Sequence, residues 1–305
     1  MDNRRAGVVA VTGLAVGTVA WKRWLAANPE PVRGRFGNGM EYGRWGDGAK
    51  TMLWIQGGPG SDVPGGTFGR LFGAQYRPFV EDGYTVWTVT RRREMPAGHT
   101  VAAMADDHAA LIRDEFAGRV DVVVGISYGG MIAQYLAAFH ADCFTHVVLA
   151  LSGSRVSEWG KDVDRRWAQA RMAGRWAEAG KVAAEYLLPG PRWAGLRRLV
   201  GPAFGLPFRA EQTPAGDLRV EIEAELSFDS RPALPQITVP VLLLVGEEDR
   251  FFTPAIIAET AGLVPDCTVV RYPGKGHAGA AMSSRLAADI LDWTHRQDAR
   301  APGST

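Results

Sequence analysis

The sequence predicts an α/β fold, with a mainly parallel sheet covered on both faces by helices. Three observations predict it. Short β-branched apolar runs alternate with helical patterns along most of the chain. Gly125-Ile126-Ser127-Tyr128-Gly129 sets a serine between two glycines, with a strand-like run before it and a helix-like run after it. One long segment, residues 155–231, has helical patterns and no convincing strand, as an insertion into such a sheet would.

Residues 1–34 read as an N-terminal apolar segment and linker. Residues 6–21 are uncharged and moderately apolar, with Arg4 and Arg5 before them and Lys22 and Arg23 after. The stretch is shorter than the roughly 20 apolar residues of a spanning helix. A signal peptide suits the basic start, but Trp21-Lys22-Arg23-Trp24 follows where small residues should mark cleavage. An uncleaved membrane-associating helix fits at least as well. The reading favours an anchor or signal over a helix packed on the domain. Membrane association or export is accordingly favoured over a cytoplasmic location. Asn28-Pro29-Glu30-Pro31 is the linker.

Residues 35–154 read as the first part of the core. Strands are expected over 35–45 and 51–55, separated by Gly46-Asp47-Gly48, and over 84–89. A helix over 100–116 places Val101, Met104, His108, Leu111 and Ile112 near one face. The run 120–124 is a strand, 130–138 has helical composition, and 146–151 is a further strand. Residues 155–232 read as a helical cap, punctuated by Pro189-Gly190-Pro191 and Gly201-Pro202. Residues 233–305 return to the core, with strands at 239–245 and 268–271 and a closing helix over 283–294.

Composition narrows the function classes. The chain has 305 residues, 46% hydrophobic and 22% charged, with a net charge of +1. That suits one large globular domain or a core with an insertion. No basic stripe interleaved with aromatics calls for nucleic acid. Cys143 and Cys267 show no paired or metal-type spacing and read as two buried free thiols. No His/Cys cluster has metal-ligand spacing, and the motifs call for no cofactor.

The serine motif carries the chemistry. A serine on a one-residue turn between strand and helix adopts a strained backbone. Glycines two before and two after remove the Cβ atoms that would clash. The turn lifts the hydroxyl above the sheet and frees the Tyr128 N–H to donate to a developing oxyanion. Such a serine needs a base, and the base needs an orienting carboxylate. His277 is the candidate base, in the glycine-rich stretch Pro273-Gly274-Lys275-Gly276-His277 after the last strand. His99 is second. His108, His140, His146 and His295 fall within or beside regular elements. Asp249 is the candidate acid, chosen over Glu247 and Glu248 because Phe251-Phe252-Thr253-Pro254 follows as a helix start. Gln56-Gly57-Gly58-Pro59-Gly60-Ser61 follows the strand 51–55, and the Gly58 N–H is the candidate second oxyanion donor.

The order Ser127, Asp249, His277, with the Gly-Gly-Pro-Gly loop upstream, resembles the α/β-hydrolase superfamily over roughly residues 35–295. The resemblance implies a mostly parallel eight-stranded sheet with a helical lid after the sixth strand. It implies nucleophile Ser127, acid Asp249, base His277, and oxyanion donors Gly58 and Tyr128. Members often have His before the first oxyanion glycine, where this chain has Gln56, which puts the loop geometry in question.

The function implied is hydrolysis of carboxylic esters in a small-molecule substrate through an acyl-enzyme on Ser127. Two alternatives share the triad. The Gly-Gly-Pro-Gly-Ser loop also resembles that of prolyl iminopeptidases, with Glu221, Glu223 and Glu225 as counterparts of the amine-binding carboxylates. Alternate residues would need extended structure to share a face. Hydrolysis of C–C bonds in ring-cleavage products is the other alternative. A non-catalytic, receptor-like member is disfavoured by the intact triad. Arg91-Arg92-Arg93 reads as solvated charges plus one buried ion pair rather than an anion site. Trp159, Trp167, Trp176 and Trp193 suit an acyl pocket or lid–core packing equally.

Overall fold

The computed structural model describes residues 23–206 and 213–300. Eight strands form one sheet in the order β1-β2-β4-β3-β5-β6-β7-β8. They are β1 Val32–Arg35, β2 Glu41–Trp45, β3 Lys50–Ile55, β4 Tyr84–Val89, β5 Val120–Ile126, β6 Phe144–Ala150, β7 Val241–Gly246 and β8 Cys267–Tyr272. Only the β1–β2 and β2–β4 pairings are antiparallel; β4 to β8 run parallel.

The period-2 alternation of a strand divides each central strand between two cores. Leu53, Ile55, Val123, Val147, Leu149 and Leu243 face one way, onto helices Val101–Glu115 and Tyr128–Phe139. Met52, Trp54, Val122, Val124, Val148 and Leu242 face the other way. There they meet Tyr76 and Phe79 of helix Gly66–Glu81 and Ile290 and Trp293 of helix Leu286–Asp298. Both faces are buried, which is why these strands read as unbroken apolar runs. The face with Val101, Met104, His108, Leu111 and Ile112 is buried as its spacing predicts.

Four expectations need correction. Residues 35–45 are not one strand: Phe36 and Met40 close a turn, Gly39 takes φ +87°, and β1 and β2 pair as a hairpin. His146 lies inside β6, which begins at Phe144. The closing helix starts at Leu286 rather than Ser283. Cys143 is buried, but Cys267 is only half-buried; both are free. Helix Gly66–Glu81 was not legible from the pattern at all.

Between β6 and β7 the described chain is helical, with helices Glu158–Met172, Trp176–Ala183, Ala194–Gly205 and Ala215–Leu226. Trp167 is buried within the core and Trp159 stacks edge-on to Phe251 at 5.1 Å. Neither these two nor Trp176 and Trp193 line the main cavity among the described residues. Residues 6–21 lie outside the described residues. No helix among the described residues is long and apolar enough to cross a membrane.

Candidate active site

Ser127 sits between β5 and helix Tyr128–Phe139 with φ +52° and ψ −114°. A non-glycine residue in that region is strained and persists only where its surroundings enforce it. They do so here. The Ser127 N–H donates to the Ala150 carbonyl at 2.8 Å, and its own carbonyl accepts from Gly130 at 2.8 Å. The flanking glycines are a packing requirement. A Cβ on Gly125 would lie 2.4 Å from the Gly129 carbonyl, and one on Gly129 would lie 2.1 Å from the Ile55 carbonyl.

The three candidate side chains meet at the C-terminal edge of the parallel strands. The Ser127 hydroxyl is 3.0 Å from His277 Nε2, and His277 Nδ1 is 2.7 Å from Asp249 Oδ2. A carboxylate only accepts, so Nδ1 carries the proton and Nε2 is left to accept from the serine. Asp249 is buried, and its Oδ1 accepts from the backbone N–H groups of Phe251 at 2.8 Å and Phe252 at 3.2 Å. Glu247 and Glu248 are exposed. Among the three neighbouring carboxylates, then, Asp249 alone reaches the imidazole. His277 opens the short helix His277–Ala281.

Each of the other five histidines has a different partner. His99 bonds Asp107, His140 bonds Asp106, His146 bonds Asp298 and His295 bonds Asp82, all between 2.7 and 2.9 Å. His108 hydrogen-bonds the Met104 carbonyl, and burial pushes it down to about 4. It is a neutral core residue.

Gly58 and Tyr128 flank the serine. Tyr128 begins its helix, so its N–H belongs to the first turn and has no intrahelical acceptor. Gly57 packs so closely that a Cβ there would lie 3.0 Å from the Ser127 Cβ. Gly58 takes φ +72° and lines the cavity beside Ser127.

A buried arginine holds this loop, and sequence reasoning missed its role. Arg91 donates through Nη1 to the Gln56 carbonyl at 3.2 Å and through Nη2 to the Gly58 carbonyl at 2.7 Å. Its Nε lies 2.9 Å from Glu221, and the pair is 1% and 0% exposed. Glu221 also accepts from the Gly60 N–H. The Arg91 guanidinium stacks 4.4 Å over the Tyr128 ring, whose hydroxyl donates to the Glu221 carbonyl at 2.9 Å. Burial alone would push Arg91 down; Glu221 beside it outweighs this and the group is raised. The expected single buried ion pair in Arg91-Arg92-Arg93 is therefore Arg91–Glu221. With Gln56 in place of His, the loop is anchored through its carbonyls. Residue spacing could not have found this pair, since 130 positions separate its members.

Above Ser127 lies a cavity of about 440 Å³, walled by Trp54, Phe72, Leu151, Phe251 and Met282. Asp164 and Tyr186 of the helical segment line it too. Glu221 and Glu225 share a buried helix face at i,i+4 spacing, whereas Glu223 is exposed. The extended structure those three carboxylates would have needed is absent.

Residues 52–289 match the model of the Alpha/beta hydrolase family. The chain is 31% identical over 202 residues to a 2-(acetamidomethylene)succinate hydrolase of Mesorhizobium japonicum, covering 59% of this chain and 65% of that protein. It thus spans just under two thirds of that relative's length. Its fold is similar to that of the enol-lactonase from Burkholderia xenovorans LB400, with TM-score 0.61 and 21% identity over 83% of this chain and 95% of that one. A thermophilic esterase from Thermogutta terrifontis gives TM-score 0.63 and 22% identity over 88% and 99%. The chain belongs to the Alpha/beta hydrolase family.

Proposed function

We propose that the protein hydrolyses carboxylic esters through an acyl-enzyme on Ser127, with His277 as base, Asp249 as its orienting acid, and the Gly58 and Tyr128 N–H groups as oxyanion donors. The observation that carries this reading is the hydrogen-bonded series Ser127–His277–Asp249, at 3.0 and 2.7 Å, beneath a mainly apolar cavity. As the Ser127 oxygen bonds to the ester carbonyl carbon, its proton passes to His277 Nε2. The carbonyl electrons move onto oxygen, where the two N–H groups hold them. Asp249 stabilises the imidazolium without taking its proton. The tetrahedral centre then expels the alcohol, which leaves with the proton from Nε2. Water, deprotonated by His277, cleaves the acyl-enzyme and restores the serine. On this reading the helical segment 155–232 acts as a cap that shapes the acyl pocket.

The aminopeptidase alternative loses two of its three carboxylates. Glu221 is spent on Arg91 and Glu223 faces solvent. Turnover of p-nitrophenyl acyl esters beside proline p-nitroanilide tests the reading. The ester reading expects the esters to lead in kcat/KM; a lead for the anilide overturns it. If neither class turns over while a serine probe still labels Ser127, C–C bond hydrolysis takes its place.

A further inference from the structure

The two oxyanion donors of this reading, Gly58 and Tyr128, come from different elements. Gly58 belongs to the loop after β3, and Tyr128 opens the helix after β5. One residue of the helical segment reaches both. Glu221 lies on helix Ala215–Leu226, and its Oε2 accepts from the Gly60 N–H and from Arg91 Nη2, the latter at 3.0 Å. The same Nη2 donates to the Gly58 carbonyl, and Nη1 donates to the Gln56 carbonyl. Among the described residues, Arg91 and Glu221 are the side chains bonded to the loop backbone between Gln56 and Gly60. Just beyond, Ser61 is held by Arg93 at 2.7 Å and Thr213 at 3.1 Å. On the other side, the Glu221 carbonyl accepts the Tyr128 hydroxyl, and Arg91 covers the Tyr128 ring.

An oxyanion donor works only within hydrogen-bond reach of the place where charge develops. Gly58 has no side chain to hold it, and at φ +72° its backbone is free to turn. Its N–H is aimed by what holds the neighbouring peptide planes. The Gln56 and Gly58 carbonyls belong to the planes immediately before and after the one that carries the Gly58 N–H. Arg91 bonds both, and its rigid planar fork suits two acceptors at once. Arg91 in turn needs Glu221, because a buried guanidinium without an opposite charge is costly. One turn earlier on the same helix, Asp217 accepts from the Glu94 and Met95 N–H groups at 3.1 and 2.8 Å. Asp217 thus anchors the helix to the core at a point away from the loop.

We propose that Glu221, acting with Arg91, is a positioning residue for the oxyanion hole, so that one residue of the helical segment sets both donors. The segment then does more than shape a pocket: its placement governs the rate of the chemical step. The inference rests on the reading of the Gly58 and Tyr128 N–H groups as the oxyanion donors.

The test compares the full chain with three variants. Arg91→Met/Glu221→Leu removes the pair without leaving a lone buried charge, Arg91→Lys keeps the charge without the fork, and Asp217→Ala loosens the same helix elsewhere. Labelling of Ser127 to completion with a fluorophosphonate counts competent sites. The labelling rate constant is then measured, with kcat per labelled site and KM for p-nitrophenyl hexanoate. In the double variant kcat and the labelling rate fall about 10²-fold, as for a donor displaced by about 1 Å. KM stays within about threefold, because the lost interaction belongs to the transition state. Arg91→Lys falls about tenfold, an intermediate loss. Asp217→Ala stays within about threefold of wild type in kcat, since no oxyanion contact is removed. A double variant as fast per site as wild type, a loss confined to KM, or an Asp217→Ala as slow as the double variant overturns the proposal. If the double variant does not fold, Arg91→Lys at the wild-type rate overturns it equally. A wild type that labels at Ser127 but does not turn over the ester counts against the ester reading, and the labelling rates still decide the positioning.

Discussion

The sheet edge that carries Ser127 and the helical segment above it satisfy their buried polar groups differently. At the sheet edge, each buried charge near the reaction centre has a local answer. Asp249 takes two backbone N–H groups and His277; Arg91 takes Glu221 and two carbonyls. In the helical segment, Asp164 accepts from the Tyr186 hydroxyl, and the buried Oε2 of Glu225 receives no donor among the described residues. The first arrangement is closed and fixes a geometry. The second leaves two buried carboxyls, both pushed up by burial, one of them in the cavity wall. The comparison teaches that buried polar groups at the sheet edge are closed by local partners, whereas those of the segment above it are not.

The comparison breaks most visibly at Asp249. Asp249→Asn removes the acceptor that holds the His277 tautomer, and kcat falls about 10³–10⁴-fold. Glu248→Gln, on an exposed neighbour, leaves kcat nearly unchanged. Steady-state kinetics on a p-nitrophenyl ester check both, and the reverse pattern would move the acid to Glu248.

The closed arrangement at Arg91 predicts a large stability effect. Arg91→Met strands Glu221 in a buried site and costs about 3–5 kcal/mol in denaturant unfolding. The double variant Arg91→Met/Glu221→Leu recovers part of that loss, because no lone charge remains. A double variant less stable than the single one would contradict the account of the pair.

The open arrangement predicts a smaller effect, with a defined pH sign. Glu225 is raised in the folded state, so folding takes up protons above its unfolded value of about 4.3. Its contribution is full below that pH and is lost as pH rises through the folded value. Glu225→Gln cannot titrate. It should gain on wild type by up to about 1.4 kcal/mol per unit of pH as pH rises above that value toward the raised folded one, in thermal or denaturant melts. A difference that stays flat with pH argues against a raised Glu225.

The smallest effect concerns the start of the chain. Arg70 of helix Gly66–Glu81 donates to the carbonyls of Leu25 and Asn28 at 2.8 and 3.1 Å. Deleting residues 1–22 spares these contacts and should leave ester turnover within about twofold. Deleting residues 1–28 removes them and should lower the melting temperature by a few degrees, about 1 kcal/mol. Detergent partitioning of the full chain separates a membrane-associating segment from a packed one.

Much of this site was legible because its signals are contiguous. The β-branched run before Ser127, the helix former after it and the glycines at 125 and 129 lie within one stretch of chain. Asp249 and His277 each follow a strand that can be read alone. Three features were hidden for physical reasons. Helix Gly66–Glu81 contains Gly66, Gly69, Gly73 and Pro78, so its propensity is poor. Tertiary packing holds it: a Cβ on Gly73 would lie 2.9 Å from Trp45 Nε1 and 3.0 Å from the Pro29 carbonyl. The β1–β2 hairpin is hidden because its turn, Gly37-Asn38-Gly39, is short and sits within a run that otherwise suits one strand. The Arg91–Glu221 and Asp164–Glu225 pairs join residues far apart in sequence, and only the assembled fold brings them together.

The central claim is that Ser127 is the nucleophile, and covalent labelling tests it most directly. The intact chain is treated with a fluorophosphonate, and the adduct is located by peptide mass mapping, with Ser127→Ala alongside. The account predicts one adduct, on Ser127, none in Ser127→Ala, and a fall in ester kcat of about 10⁴-fold or more in that variant. An adduct on another residue, or Ser127→Ala turning over esters within tenfold of wild type, would contradict it.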